Sequence, residues 1–133
     1  MTQTIIQPFL LFFGQAEEAM NFYVSLFPGA KVLDLIRYGP NEPGKEASVK
    51  KARFSIGSQI VLCTDSTVKH EFSLTPAFSF LVEYQSDREI IQLYDALASG
   101  GSTPMPLRAY DFSQKFAWVN DRFGVSWQLD LPA

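Results

Sequence analysis

The sequence predicts an α+β fold made of two βαβββ modules, with curved sheets arranged around a cleft. Two observations support this prediction. The order strand, helix, three strands occurs twice, and the two predicted helices lie about 71 positions apart. The chain also ends in a strongly alternating segment from Lys115 to Leu131, which is typical of two half-buried strands in a hairpin. We expect one domain over residues 1–133, with modules of about 1–65 and 74–133.

The first module begins with a buried strand that is followed by a helix. Ile5 to Phe13 is rich in Phe, Leu and Ile, and Pro8 indicates an edge or an end of pairing at that point. Apolar residues at helical spacing then predict a helix over 15–27, which Pro28-Gly29 ends. Three further strands are expected at 31–38, 51–56 and 59–64, with a Pro- and Gly-rich loop after the first.

The second module repeats this order. A strand over 76–84 precedes a helix that Ser86 caps, with Glu89 completing a capping box. The elements that follow are a helix end at Gly100-Gly101, a short strand at 103–107, a polar loop at 108–111 and the closing hairpin. Asp121-Arg122-Phe123-Gly124 is the predicted turn, because Gly124 stands where a short hairpin needs positive φ.

Composition excludes several classes of function. The chain is 47% hydrophobic with a net charge of -3 and one adjacent basic pair, Lys50-Lys51, so nucleic acid is not an expected partner. Its longest apolar run, Pro8 to Phe13, is too short to span a membrane, and the first residues lack the charged head of a signal peptide. The single Cys63 fits a reducing compartment. We therefore expect a cytoplasmic protein.

Several motifs together resemble a known family over nearly the whole chain. They are Pro8-Phe9-Leu10, Gly14-Gln15-Ala16-Glu17-Glu18-Ala19, Phe22-Tyr23, Phe27-Pro28-Gly29-Ala30 and Asp121 to Leu129, DRFGVSWQL. This combination is similar to the PhnB-like branch, labelled demethylubiquinone methyltransferase-like, of the vicinal-oxygen-chelate superfamily. That superfamily includes glyoxalase I, extradiol dioxygenases and bleomycin-resistance proteins. The resemblance implies a glyoxalase-like fold of curved mixed sheets, a homodimer and a small-molecule ligand in the cleft.

The methyltransferase label is not matched by a cofactor motif. A nucleotide-like methyl donor is normally held by a Gly-rich turn between a parallel strand and a helix. In this sequence the glycines are scattered, and neither predicted helix follows such a turn. We therefore expect no cofactor.

The superfamily's metal positions also lack metal ligands here. Metal-using members place His or Glu at four positions, and the resemblance puts Gln7 at the first and Gln128 at the last. Adding the repeat offset to Gln7 gives Phe78 at the third, and the second falls near Val61 or Cys63. Amides, a phenyl ring and a thiol bind divalent ions weakly. The sequence therefore predicts no metal site.

Four residues are the predicted ligand-binding set. Gln7, Phe78 and Gln128 belong to it through the superfamily's central positions. Trp118 is added because an indole stacks well against flat ligands. No catalytic residue is assigned from the sequence.

The remaining polar candidates have structural interpretations. His70 is expected in an exposed loop, Cys63 in the core and Asp121 in turn chemistry rather than as a buried base. Glu83 is a base only if it is buried. The segment 108–111 is interpreted as a solvated loop, with a gate over the cleft as the alternative.

Three functions follow from these features. The leading hypothesis is binding of a small, partly apolar organic molecule in the cleft without a metal. The alternatives are a metal-dependent lyase, isomerase or dioxygenase of the same superfamily, and a drug-sequestering resistance protein.

Overall fold

The computed structural model describes residues 4–133. The chain divides into two compact units, the first ending at Ser73 and the second running from Leu74 to Ala133. The elements are β1 Phe9–Phe12, α1 Ala16–Leu26, β2 Lys31–Arg37, β3 Val49–Ile56, β4 Gln59–Asp65, β5 Ser79–Glu83, α2 Asp87–Ala98, β6 Ser102–Tyr110, β7 Ser113–Asn120 and β8 Ser126–Pro132. Each unit therefore has the order βαβββ, as the repeat predicted. The interpretation of the whole chain as one domain stays a prediction.

Each unit contains a four-stranded mixed sheet. The strand order is β1-β4-β3-β2 in the first unit and β5-β8-β7-β6 in the second. The first strand of each unit runs parallel to the last, whereas the other neighbours are antiparallel. The predicted α+β class with mixed sheets is confirmed.

In the first unit α1 covers one face of the sheet. Its buried residues are Ala16, Ala19, Met20 and Tyr23. The Tyr23 ring lies 6.2 Å from the ring of Phe54 on β3. Alternate residues of β3 are buried, as predicted: Ala52, Phe54 and Ile56. Burial of such side chains contributes about 1.5–3 kcal/mol for each large one and provides most of the stability of this unit.

In the second unit α2 packs on β6, β7 and β8. The helix begins where Ser86 Oγ accepts a hydrogen bond from the Glu89 amide at 3.4 Å, so the predicted cap is confirmed. The helix buries Ile90, Leu93 and Leu97. The sheet side of this core consists of buried residues from β7 and β8, namely Ala117, Val119, Trp127, Leu129 and Leu131.

The first strand of each unit is shorter than predicted. β1 is Phe9–Phe12 rather than 5–13. The Pro8 carbonyl still accepts from the Leu62 amide, but the Pro8 nitrogen has no hydrogen to donate, so the strand begins only after this residue. β5 is Ser79–Glu83 rather than 76–84. A turn precedes it, in which the Phe78 amide donates to the Thr75 carbonyl at 3.5 Å.

The prediction of a short strand and a polar loop after α2 is wrong. β6 runs continuously over Ser102–Tyr110, so Arg108 and Tyr110 belong to a strand. Arg108 pairs with Phe116 and Tyr110 with Ser113 on β7. Three register shifts interrupt this pairing. Because Pro104 and Pro106 cannot donate to a ladder, they disturb the alternation by which a strand is recognised.

Within residues 4–133, no helix combines the length and the apolar character that a membrane crossing requires.

Candidate functional site

The candidate site is the sheet face of the second unit that lies opposite α2. Side chains of β8 alternate between two faces. Trp127 and Leu129 are fully buried in the core with α2. Gln128 therefore points to the other face, where its side chain is half-buried.

Strand pairing arranges this face in three rows, each crossing β5, β8, β7 and β6. The serine row is Ser79, Ser126, Asn120 and Ser102. The tryptophan row is Leu81, Gln128, Trp118 and Met105. The charged row is Glu83, Asp130, Phe116 and Arg108. Polar, apolar and charged groups are thus ordered along the strands on one surface.

Hydrogen bonds fix the indole of Trp118 in this surface. Its Nε1–H donates to Ser126 Oγ at 2.8 Å, and the Ser126 and Ser79 hydroxyls lie 2.6 Å apart. The Gln128 amide Nε2 donates to Ser79 Oγ at 3.5 Å. Within the described chain no donor reaches the Gln128 side-chain oxygen. The surface therefore combines an oriented aromatic ring with an available hydrogen-bond acceptor.

The serine row also contains an unsatisfied acceptor. Asn120 Oδ1 is buried and has no hydrogen-bond partner among residues 4–133. The amide nitrogen of the same side chain donates to Ser102 Oγ at 3.4 Å. A buried acceptor without a donor costs about 1–3 kcal/mol, and such groups are rare in folded proteins.

The predicted ligand-binding residues divide between several places. Trp118 and Gln128 are direct cross-strand partners in the tryptophan row. Gln7 belongs to the first unit, where it precedes β1 and is half-buried. Phe78 is 63% exposed, and its ring lies 6.1 Å from that of Phe80. Because Phe80 contacts the buried Trp127 at 5.0 Å, the structure does not bring Phe78 to the tryptophan row. The roles of all four residues stay predictions.

The repeat offset explains the place of Phe78. Residues two apart on a strand lie on the same face of the sheet. The offset that was added to Gln7 to find Phe78 is odd, so it leads to a position on the opposite face. Phe9 of β1 and Leu81 of β5 both point away from the helices, since they pair with Leu62 and Gln128. Odd-numbered positions of the two strands thus share the faces opposite the helices. The sequence did not predict a role for Leu81 and Met105. Leu81 pairs with Gln128 and Met105 with Trp118 only through strand registers that the local sequence pattern does not predict.

The matching face of the first unit has a different character. A single row crosses its four strands and consists of Phe9, Leu62, Arg53 and Asp34. Arg53 and Asp34 form an ion pair with a nitrogen–oxygen distance of 2.7 Å. This row therefore has neither an indole nor an amide side chain at the positions that correspond to Trp118 and Gln128 of the second unit.

The carboxylate of Asp121 is engaged by the hairpin turn. Its Oδ1 accepts from the amides of Phe123 at 2.8 Å and Val125 at 3.1 Å. Its Oδ2 accepts from the Trp127 indole at 2.9 Å, and the residue is buried. Gly124 has φ of +92°, as the turn requires. The predicted turn role of Asp121 is confirmed.

The described residues offer no set of ligands that fits a metal ion. Across residues 4–133, His, Cys, Asp and Glu nowhere form a group of three or more that could hold one. His70 is exposed, and its ring stacks on Phe72 with centroids 4.5 Å apart. Cys63 is completely buried, as predicted. Burial, with a further contribution from the charge of Asp65, raises the pKa of its thiol to about 12. A thiol that stays protonated is an inert packing group rather than a nucleophile.

The raised pKa of Cys63 predicts how its reactivity and the stability of the fold respond to pH. The folded state keeps the thiol proton to about pH 12, while the unfolded chain releases it near pH 9.0. Unfolding therefore releases a proton above pH 9.0, so stability falls as pH rises from there, by at most about 1.4 kcal/mol per pH unit. We expect iodoacetamide to label Cys63 at pH 8 in urea but not in buffer.

Urea titrations at pH 8 and pH 10 measure the effect on stability. Cys63→Ala is the reference, because it removes this titration and leaves those of lysine and tyrosine. Rapid labelling of the folded protein, or equal pH slopes for both proteins, would contradict the burial of a protonated thiol.

Two side chains satisfy the amides at the starts of the helices. Asp65 Oδ1 accepts from Ala16 at 3.0 Å and from Gly14 at 2.8 Å, at the N-terminus of α1. Ser86 caps α2. A methyl donor of the usual kind needs a Gly-rich turn there. The link between β1 and α1 has one glycine, Gly14, and the link between β5 and α2 has none. The residues present do not fit such a donor.

The family model described as 3-demethylubiquinone-9 3-methyltransferase matches residues 4–130. The chain belongs to this family. It is 48% identical to the PhnB protein of Bacillus cereus, over 96% of this chain and 99% of that one, with a TM-score of 0.94. It is 28% identical to protein PA1353 of Pseudomonas aeruginosa, over 98% of each chain, with a TM-score of 0.85. No curated protein is similar enough to count as a match.

A more distant likeness shows the fold alone. FosX, the genomically encoded fosfomycin resistance protein of Listeria monocytogenes, is 11% identical over 100% of this chain and 96% of that one, with a TM-score of 0.66. The family model and the PhnB match confirm the expected PhnB-like family, and the likeness to FosX agrees with the expected glyoxalase-like fold. The word methyltransferase belongs to the family's description, and no comparison shows that activity for this chain.

Proposed function

We propose that this member of the family binds a small, partly apolar organic molecule without a metal, on the face of the second unit opposite α2. The observation that carries the proposal is the tryptophan row, in which Gln128 and Trp118 are direct cross-strand partners. Leu81 at one end of the row is 62% exposed. Together with the oriented indole and amide, Leu81 gives this face the combination of apolar contacts and a few placed polar groups that ligand sites have.

Each part of the row has a chemical role. The indole of Trp118 stacks on a flat ring, and its bond to Ser126 keeps the ring plane fixed before the ligand arrives. Leu81 and Met105 contact apolar parts of the ligand on either side. The side-chain oxygen of Gln128 accepts a hydrogen bond from a ligand N–H or O–H. A neutral, planar ligand core matches these groups.

Catalysis is not part of the proposal. Asp121 is engaged by two amides and an indole, and Cys63 is a buried, protonated thiol. Neither is placed to act as a base or a nucleophile on this face.

Assembly as a cytoplasmic homodimer is the accompanying proposal. It is supported by apolar side chains on the edge strand β2, where Ile36 is 54% exposed beside the exposed Val32 and Leu33. An edge strand with such side chains is a surface on which a second chain can pack. The free Cys63 supports a reducing compartment.

Substitutions in the tryptophan row test the proposed site. A library of small aromatic compounds is screened by thermal shift and then titrated with ¹⁵N-labelled protein. Bound compounds are expected to move the indole N–H signal of Trp118, while Trp127, whose indole is bonded to the buried Asp121, is the internal reference. Trp118→Leu is expected to weaken binding about tenfold, because stacking contributes about 1–1.5 kcal/mol.

Gln128→Leu is expected to weaken binding of donor-bearing compounds by a similar factor, about tenfold, through the lost hydrogen bond. Matched controls are Phe72→Leu and Gln92→Leu, which change an exposed aromatic ring and an exposed amide elsewhere. Compounds that bind without moving the Trp118 signal, or that bind both row variants as tightly as the wild type, would place the ligand elsewhere.

A further inference from the structure

Arg108 lies at the β6 end of the charged row in a fixed orientation. Its guanidinium carbon lies 4.6 Å from the centroid of the Tyr110 ring. The Tyr110 hydroxyl donates to the Pro106 carbonyl at 2.8 Å, and the Tyr110 ring packs at 5.6 Å on Phe112 and at 6.2 Å on Phe116. The aromatic cluster therefore holds the guanidinium by a cation–π contact.

The charge of Arg108 is not neutralised by an acidic side chain. Within residues 4–133 no carboxylate lies at ion-pair distance from it. Two other arginines are paired: Arg37 with Glu17 at 2.6 Å and Arg53 with Asp34 at 2.7 Å. A guanidinium that is oriented by aromatic rings and has no carboxylate partner offers its N–H fork to an external oxyanion.

The position of Arg108 relative to the tryptophan row fits one ligand that reaches both. Arg108 pairs with Phe116, which stands two residues from Trp118 on β7. Two residues of a strand span about 7 Å. The other end of the charged row carries the carboxylates of Glu83 and Asp130. Those carboxylates repel an anionic group, so the charged end of a ligand is directed toward β6.

We infer that the ligand of this face carries a carboxylate, bound by the guanidinium of Arg108, with its ring lying on Trp118. The inference rests on the proposed function and narrows it to aromatic or otherwise planar carboxylic acids. The planar fork of an arginine matches the two oxygens of a carboxylate in a bidentate arrangement. Arg108 is thereby a specificity-determining residue, because it distinguishes the acid from a neutral molecule of equal shape.

The test compares two probes of equal shape and different charge. 2-Naphthoate and the neutral 2-naphthamide are titrated into ¹⁵N-labelled full-length protein, and the Trp118 indole N–H signal reports binding. The wild type is expected to bind the acid about tenfold more tightly than the amide, the size expected for one bidentate charge-assisted contact. Arg108→Gln is expected to remove this preference by weakening the acid only.

Arg88→Gln is the matched control, because Arg88 is exposed in the first turn of α2, on the element that packs on the opposite face. Arg88→Gln is expected to keep the tenfold preference for the acid. Arg108→Lys keeps the positive charge but cannot make the bidentate contact, so it is expected to keep only part of that preference. If acid and amide move the Trp118 signal with equal affinity in the wild type, the inference is overturned while the proposed binding face stands. If neither probe moves that signal up to its solubility limit, the proposed function fails as well.

Discussion

Replacing Asp121 by alanine is expected to lower the free energy of unfolding by about 3–5 kcal/mol, the range for breaking a buried charged network. The carboxylate is buried and accepts from the amides of Phe123 and Val125 and from the indole of Trp127. Alanine leaves these donors in the core of the second unit without their acceptor. Each unsatisfied donor costs about 1–3 kcal/mol, so the loss is a large part of a typical domain's stability.

Urea denaturation followed by far-ultraviolet circular dichroism measures this loss. Asp121→Asn is expected to lower the free energy of unfolding by about half as much. The asparagine oxygen can still accept from the turn amides, but its NH₂ group faces the Trp127 N–H, so two donors meet. Asp95→Ala is the control, since Asp95 is exposed on α2, and it is expected to stay within about 0.5 kcal/mol of the wild type. An Asp121→Ala protein within about 1 kcal/mol of the wild type would show that the turn does not depend on this carboxylate.

The second large effect is expected at Asp65, whose replacement by alanine should cost about 3–4 kcal/mol through lost buried hydrogen bonds and lost helix capping. Its Oδ1 accepts from Gly14 and Ala16 at the start of α1. Its Oδ2 accepts from the Val49 amide at 2.9 Å, at the start of β3. One side chain at the end of β4 thus joins three elements. A carboxylate at a helix N-terminus adds about 0.3–1 kcal/mol by its charge.

The control for Asp65 is Asp34→Ala. Asp34 belongs to an ion pair that is partly exposed, so its loss is expected to cost no more than about 1 kcal/mol. Asp65→Asn adds a second readout, because the charge of Asp65 contributes to the raised pKa of Cys63. The thiol of that variant is expected to react with iodoacetamide at lower pH than in the wild type. Equal urea midpoints for Asp65→Ala and Asp34→Ala would remove the structural role assigned to Asp65.

Local chemistry made much of this fold predictable from the sequence. The hairpin turn at Asp121 to Gly124 could be identified because aspartate binds turn amides and glycine adopts positive φ at low cost. The start of α2 at Ser86 followed from the spacing to Glu89. The burial of Cys63 followed from its place in an apolar strand. For the turn and the helix start the determining contacts lie within a few residues along the chain, and for Cys63 the apolar character of its own strand was sufficient.

The parts that escaped prediction depend on pairing between distant residues. The tryptophan row requires β5 to lie parallel to β8 with Leu81 beside Gln128, and a parallel register leaves no local mark in a sequence. The charged end at Arg108 was hidden because Pro104 and Pro106 made β6 resemble a loop. Phe78 was chosen by an odd offset, although sheet faces repeat every second residue.

The two units have the same order of helix and strands, but their sheet faces opposite the helices carry different residues. The second unit presents the indole of Trp118 beside the amide of Gln128. The first unit presents Leu62 and Arg53 instead, and Arg53 is already paired with Asp34. A guest that stacks by its ring gains little on the first surface, because the guanidinium would first have to leave its aspartate. Duplication of the scaffold therefore does not duplicate the proposed site, and under the proposed function we expect one ligand molecule per chain.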